Sequence, residues 1–88
     1  MWQIDFSKQA RKFFEKHGGL EQEILGLIRI FILKLQGEIV NIDIKKLKGE
    51  WKDYFRIRKG KLRILLKIDF DNRELFVEKI DFRGDVYK

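Results

Sequence analysis

The segment DYFRIRKGKLRILLKID (residues 53–69) holds two alternating runs around a Lys-Gly pair suited to a two-residue hairpin turn. With Lys59 and Gly60 as the loop, pairing outward sets Arg58 opposite Lys61 and Arg56 opposite Arg63. One face of the hairpin then carries Trp51, Asp53, Phe55, Ile57, Leu62, Ile64, Leu66 and Ile68, and only Asp53 breaks that apolar set. The other carries Lys52, Tyr54, Arg56, Arg58, Lys61, Arg63, Leu65 and Lys67. A slip of one residue would bury the cations, so the facing of both strands is strongly specified. Like charges opposite each other destabilise a sheet, so such a face is expected where function overrides local stability.

A third alternating run, residues 74–82, follows. A two-residue loop at Asp71-Asn72 and a three-residue loop assign opposite faces to Phe76, Ile80 and Phe82, and the pattern leaves both open. The run ends in FRGDVYK, which brings Arg83 and Tyr87 to the rim of the sheet. Asp69 and Asp71 flank a turn and read as turn formers rather than as Mg²⁺ ligands. Upstream of the hairpin, EIVNIDIKKLKGEW is a mixed stretch whose KKLKG ends in a turn.

Before that, Ile24, Leu27, Ile28, Phe31 and Leu35 form one stripe of a helix spanning about residues 20–35. Ile30 and Leu33 fall on its other side, beside Arg29 and Lys34, and have two readings: a wrap-around core contact or a partner-binding surface. An earlier helix starts at the N-cap Ser7, repeats Ala10, Phe13, Phe14 and His17 at helical spacing, and stops at Gly18-Gly19. His17, the one histidine, reads as a helix-end residue rather than a general base. WQIDF (residues 2–6) is a short strand. The order β-α-α-β-β-β describes one α+β domain over residues 1–88, a short N-terminal strand and two helices packed on a C-terminal antiparallel meander.

Composition bounds the chemistry. The 88 residues are 44% apolar and contain no cysteine, so stability rests on packing. The apolar segment at residues 24–35 carries Arg29 and Lys34 and falls short of the ~20 residues of a spanning helix. The N-terminus lacks the charged-then-apolar order of a signal peptide, and the expected location is the cytoplasm. Residues 1–44 hold six basic and six acidic side chains, whereas residues 45–88 hold fourteen and eight, so the whole excess of +6 sits in the second half. That asymmetry suits a polyanion, nucleic acid rather than a membrane surface, since no basic amphipathic helix accompanies it. There is no cysteine nucleophile, His-x-x-x-His pair, Walker loop or Gly-x-Gly-x-x-Gly. What remains is a concentration of guanidinium groups and tyrosines with no metal or cofactor motif. Guanidinium forks bind phosphate bidentately and favour the added charge of a pentacoordinate phosphoryl transition state, which suits binding RNA or cutting it.

From FSKQARKFFEK through LKGEWKDYFRIRKGKLRILLKID to KIDFRGDVYK, with L-K-G, Y-x-R-I-R-x-G-x-x-R-I and R-x-D-V-Y in that order, the chain resembles the RelE/ParE superfamily of type II toxins. The resemblance implies a domain that, in the RelE branch, enters the ribosomal A site and cleaves mRNA without a metal or other cofactor. In the ParE branch it implies one that inhibits DNA gyrase by binding. It implies a cognate antitoxin as partner beside ribosome and mRNA, with no membrane and no DNA contact by the toxin alone. By the same resemblance Arg56 and Arg58 approach the 2′-hydroxyl and scissile phosphate, Arg63 stabilises the phosphate, Arg83 serves the leaving 5′-oxygen and Tyr87 stacks on the substrate nucleotide. Lys45, Lys46, Lys48, Lys52, Lys59, Lys61 and Lys67 are expected to meet RNA phosphates, and Ile30 and Leu33 an antitoxin segment. Arg56 and Phe82 depart from the family pattern, which often has lysine and histidine there. Arginine is a poor general base, and Glu50, Glu78 and Tyr54 are the substitutes the sequence offers.

Overall fold

Ser7 has extended backbone and its Oγ accepts from the Ala10 N–H at 3.1 Å, which starts the first helix where the sequence placed it. In the computed structural model, which describes residues 1–82, the elements are β1 (Gln3–Phe6), α1 (Lys8–Lys16), α2 (Glu21–Leu35), β2 (Asp43–Lys46), β3 (Tyr54–Lys59), β4 (Leu62–Asp69) and β5 (Glu74–Phe82). Short 3₁₀ turns lie at Gly18–Leu20 and Gly49–Trp51. The strands form one sheet in the order β1-β5-β4-β3-β2, antiparallel except for β1, which runs parallel to β5.

Ala10 and Phe13 of α1 and Ile24, Leu27, Ile28 and Phe31 of α2 are buried against Ile57, Leu62, Ile64, Leu66, Leu75, Val77 and Ile80 of the sheet. The helices therefore cover one sheet face, and among the described residues the other is open. His17 caps the C-terminal end of α1 and packs tilted against Phe13 and edge-on against Phe82, with ring centroids 4.5 and 5.1 Å away, on the helix side of the sheet. No helix among the described residues is long and apolar enough to cross a membrane.

Four expectations are corrected. The hairpin turn is Gly60-Lys61, not Lys59-Gly60, because Gly60 adopts φ +59° at the first central position, where a II′ turn requires glycine. Arg58 consequently faces Arg63, and Arg56 faces Leu65. The slip is two residues, so every side chain keeps its predicted face. Second, β3 begins at Tyr54, since Trp51 closes the 3₁₀ turn and lies exposed with Asp53 outside the strand. Third, the mixed stretch before it contains β2, whose four residues are too few to show alternation, and the meander has four strands with β1 added in parallel.

The fourth correction concerns β5. Each loop reading holds for only part of the strand: the register of the two-residue turn, with Lys67 opposite Phe76, runs as far as Val77, and a bulge at Glu78 then shifts the phase so that Ile80 and Phe82 take the opposite face. Leu75 and Val77 point to the core before it and Ile80 and Phe82 after it, while Phe76 lies on the open face. The bulge is held from the other side. Ser7 Oγ donates to the Glu78 carbonyl at 2.6 Å, and the Gln9 side chain donates to the Ile80 carbonyl and accepts from its N–H, at 2.9 and 3.0 Å.

Candidate nucleic-acid interface

The open face is ordered in rows by the strand register. One row reads Asp43, Arg58, Arg63, Asp81 across β2, β3, β4 and β5. The next reads Lys45, Arg56, Leu65, Lys79, and the third Tyr54, Lys67, Phe76, Asp5 across β3, β4, β5 and β1. Successive rows are two strand residues, about 6.6 Å, apart.

Asp43 spans two guanidinium groups. One carboxylate oxygen meets Arg56 Nη2 at 3.0 Å and the other meets Arg58 Nη2 at 2.9 Å. Arg56 is the more enclosed, with 13% of its side chain exposed. Its Nε is buried and has no hydrogen-bond partner among the described residues, a donor whose desolvation is uncompensated until an acceptor arrives. Arg63 is half-buried beside them. Lys79 Nζ lies 3.6 Å from Asp81 at the opposite end of these rows.

Beside the guanidinium groups, Tyr54 donates its hydroxyl to Glu78 Oε1 at 3.2 Å. Burial, and then the negative charge and hydrogen bond of Glu78, push the Tyr54 phenol above its ordinary value, so it stays a donor. The bulge brings Glu78 within reach of that hydroxyl, a consequence no alternating pattern shows. Of the three substitute bases, Tyr54 and Glu78 are thus joined beside the arginines, whereas Glu50 sits exposed in the 3₁₀ turn. Trp51 packs edge-on against Tyr54 at 4.9 Å, and Lys67 Nζ lies 5.9 Å from the Tyr54 ring centre.

The lysines divide. Lys45 and Lys67 share the open face with Arg56, Arg58 and Arg63. Lys46 lies in register with Phe55, its Nζ 6.0 Å from that ring, and so belongs to the helix side. Lys48 and Lys52 are exposed on either side of the 3₁₀ turn, and Lys59 and Lys61 are exposed at the hairpin tip. Ile30 is half-buried outside the core cluster and Leu33 is 45% exposed, both away from the sheet. Arg83 and Tyr87 lie outside the described residues. Asp43 went unread in the sequence; its signal was an acid one alternation before Lys45 in IDIKK. Asp69 is a turn former, as read: Asn72 donates to it from N at 3.2 Å and from Nδ2 at 2.8 Å, which holds its carboxyl below the usual range.

No protein family matches the chain in a family scan, and no curated protein matches it. Among solved structures, the RelB-RelE antitoxin-toxin complex of Methanococcus jannaschii is similar at 27% identity and TM-score 0.66, over 94% of each chain. The toxin-antitoxin complex RelBE2 of Mycobacterium tuberculosis is similar at 27% identity and TM-score 0.60, over 96% of this chain and 93% of that one. The DinJ-YafQ complex of E. coli aligns over the full length of both chains with TM-score 0.72 and 15% identity, a likeness of fold.

Proposed function

Because the chain carries the fold of RelE-type toxins of toxin-antitoxin systems, we propose that it is a toxin that cuts mRNA on the ribosome and is held inactive by a cognate antitoxin. The observation that carries this reading is the buried, unsatisfied Nε of Arg56 in an open face that also presents Arg58 and Arg63. A face built from cations around an orphan donor is suited to a phosphodiester oxygen.

In this reading the scissile phosphate takes up Arg56, Arg58 and Arg63. Glu78 receives the proton of the neighbouring 2′-hydroxyl while Tyr54 steadies its carboxylate, and the freed 2′-oxygen attacks phosphorus. The guanidinium charges offset the negative charge gathered on the phosphoryl oxygens. The bond to the 5′-oxygen breaks, leaving a 2′,3′-cyclic phosphate and a 5′-hydroxyl end that takes its proton from solvent. Arg83 at the leaving oxygen and Tyr87 against the nucleotide come from the family resemblance alone. Lys45, Lys48, Lys52, Lys59, Lys61 and Lys67 meet RNA phosphates, with Lys46 a contributor from the sheet edge. Ile30 and Leu33 offer the antitoxin an apolar strip on α2.

Mapping the 5′ ends of a reporter mRNA, with and without ribosomes, tests this. New ends that require both toxin and ribosomes are expected. A second reading, a gyrase inhibitor of the ParE kind that acts by binding, is favoured by Asp43, which already occupies two of the three guanidinium groups. An intact message together with inhibited DNA supercoiling would decide for it.

A further inference from the structure

Beyond the arginine rows, the open face ends in Lys67, Phe76 and Asp5, side by side on β4, β5 and β1. Leu75, Val77 and Ile80 of the same strand are buried, but Phe76 is 37% exposed on a face otherwise rich in charge. A cavity of about 270 Å³ opens here, lined by Phe76 with Asp5, Lys67, Asp69 and Glu74. That lies just below the range of drug-sized ligand pockets, which starts near ~300 Å³, and leaves room for one flat heterocycle.

We infer that this cavity takes one unpaired base of the RNA whose phosphate lies on the arginines, and that it prefers guanine. The inference rests on the proposed function for the path of the RNA, and adds which base is read. An exposed aromatic ring beside a cation is the stacking platform of single-strand binders, and Lys67 stands where the backbone of the stacked nucleotide passes. The phosphate and base positions are separated by one to two rows, about 6.6 to 13 Å along the strands, and by one to two strand spacings of about 4.8 Å across them, a span for about two nucleotides of an extended strand.

The lining carboxylates select the base. A carboxylate only accepts, so it favours an edge made of donors. Asn72 already engages Asp69, and of the two remaining carboxylates Glu74 pairs with Gln3 one row off the ring whereas Asp5 is in register with Phe76, which makes Asp5 the reader. Guanine presents N1–H and its 2-amino group side by side to the two carboxylate oxygens. Uracil flanks its single N–H with two carbonyls that a carboxylate repels.

The test uses fluorescence anisotropy of the full chain with labelled hexauridylate and with the same hexamer carrying one internal guanosine. The parent is expected to bind the guanosine hexamer about tenfold more tightly, as one bidentate contact to a base allows. Asp5→Ala should abolish that difference, and Phe76→Leu should weaken both hexamers about tenfold by removing the stack. Arg58→Ala should weaken both and preserve the ratio. Equal binding by the parent, binding of neither hexamer, or a ratio that survives Asp5→Ala overturns the inference. A guanosine preference with no ribosome-dependent cutting sinks the nuclease and leaves the base site standing; cutting without any preference does the reverse.

Discussion

Asp43 and Arg58 face each other across β2 and β3, and the same carboxylate also reaches Arg56. A fixed anion therefore sits where a phosphate would bind, and the two compete for one pair of guanidinium groups. Asp43→Asn should tighten RNA binding several-fold, measured by anisotropy at one fixed salt concentration. Because the Asp43 side chain is well exposed, its loss should lower stability by no more than ~1 kcal/mol in urea unfolding. Unchanged or weaker RNA binding would mean that Asp43 positions the arginines rather than occupying them.

Glu78→Gln keeps an acceptor for the Tyr54 hydroxyl but cannot take a proton. In the proposed reaction, cleavage on ribosomes should fall by ~10²-fold or more, the usual contribution of a general base. The urea midpoint and ribosome co-sedimentation should stay at parental values. A variant that cuts as fast as the parent would remove Glu78 from the reaction.

Tyr54 links the same site to alkaline stability. Its folded pKa is raised above the ordinary 10.0 by burial and by Glu78. Below pH 10 the phenol is protonated in both folded and unfolded chains, and its contribution is complete. As pH climbs through the folded value the phenol ionises beside a carboxylate, and the contribution is lost. Urea midpoints taken from pH 9 upward should therefore fall more steeply for the parent than for Tyr54→Phe. Parallel curves would show that the hydroxyl carries no such coupling.

At the hairpin tip, a Cβ on Gly60 would meet no atom within 4 Å, yet the residue holds φ +59°. Gly60→Ala should cost about 1–2 kcal/mol through backbone strain alone. Equilibrium unfolding will show it, and a neutral result would place another turn at the tip.

Periodicity made much of this architecture legible before any coordinate. Ile24, Leu27, Ile28 and Phe31 are buried as their spacing required, and the two faces of β3 and β4 follow the parity of their residues. Parity survives a two-residue slip, which is why the wrong turn position changed the partners of Arg56 and Arg58 but not their side of the sheet. Phase changes were the weak point. In LFVEKIDF the apolar positions Val77 and Ile80 are three apart, and that interval marks the bulge which carries Glu78 to Tyr54. Asp43 was hidden for another reason: its role depends on pairing across strands that its own four-residue element does not announce.

The N-terminal elements are fastened almost wholly to the last strand. Among the described residues β1 pairs with β5 alone, Ser7 bonds to Glu78, and Gln9 bonds to Ile80, both across 71 positions of the chain. Contacts so distant in sequence close late, since the intervening loop must be ordered first. During synthesis β1 and α1 leave the ribosome first and wait without a template until residues 74–82 follow. The Glu78 bulge needs the same late event, so a chain that has not yet docked β5 has neither a finished sheet nor an assembled Tyr54–Glu78 pair.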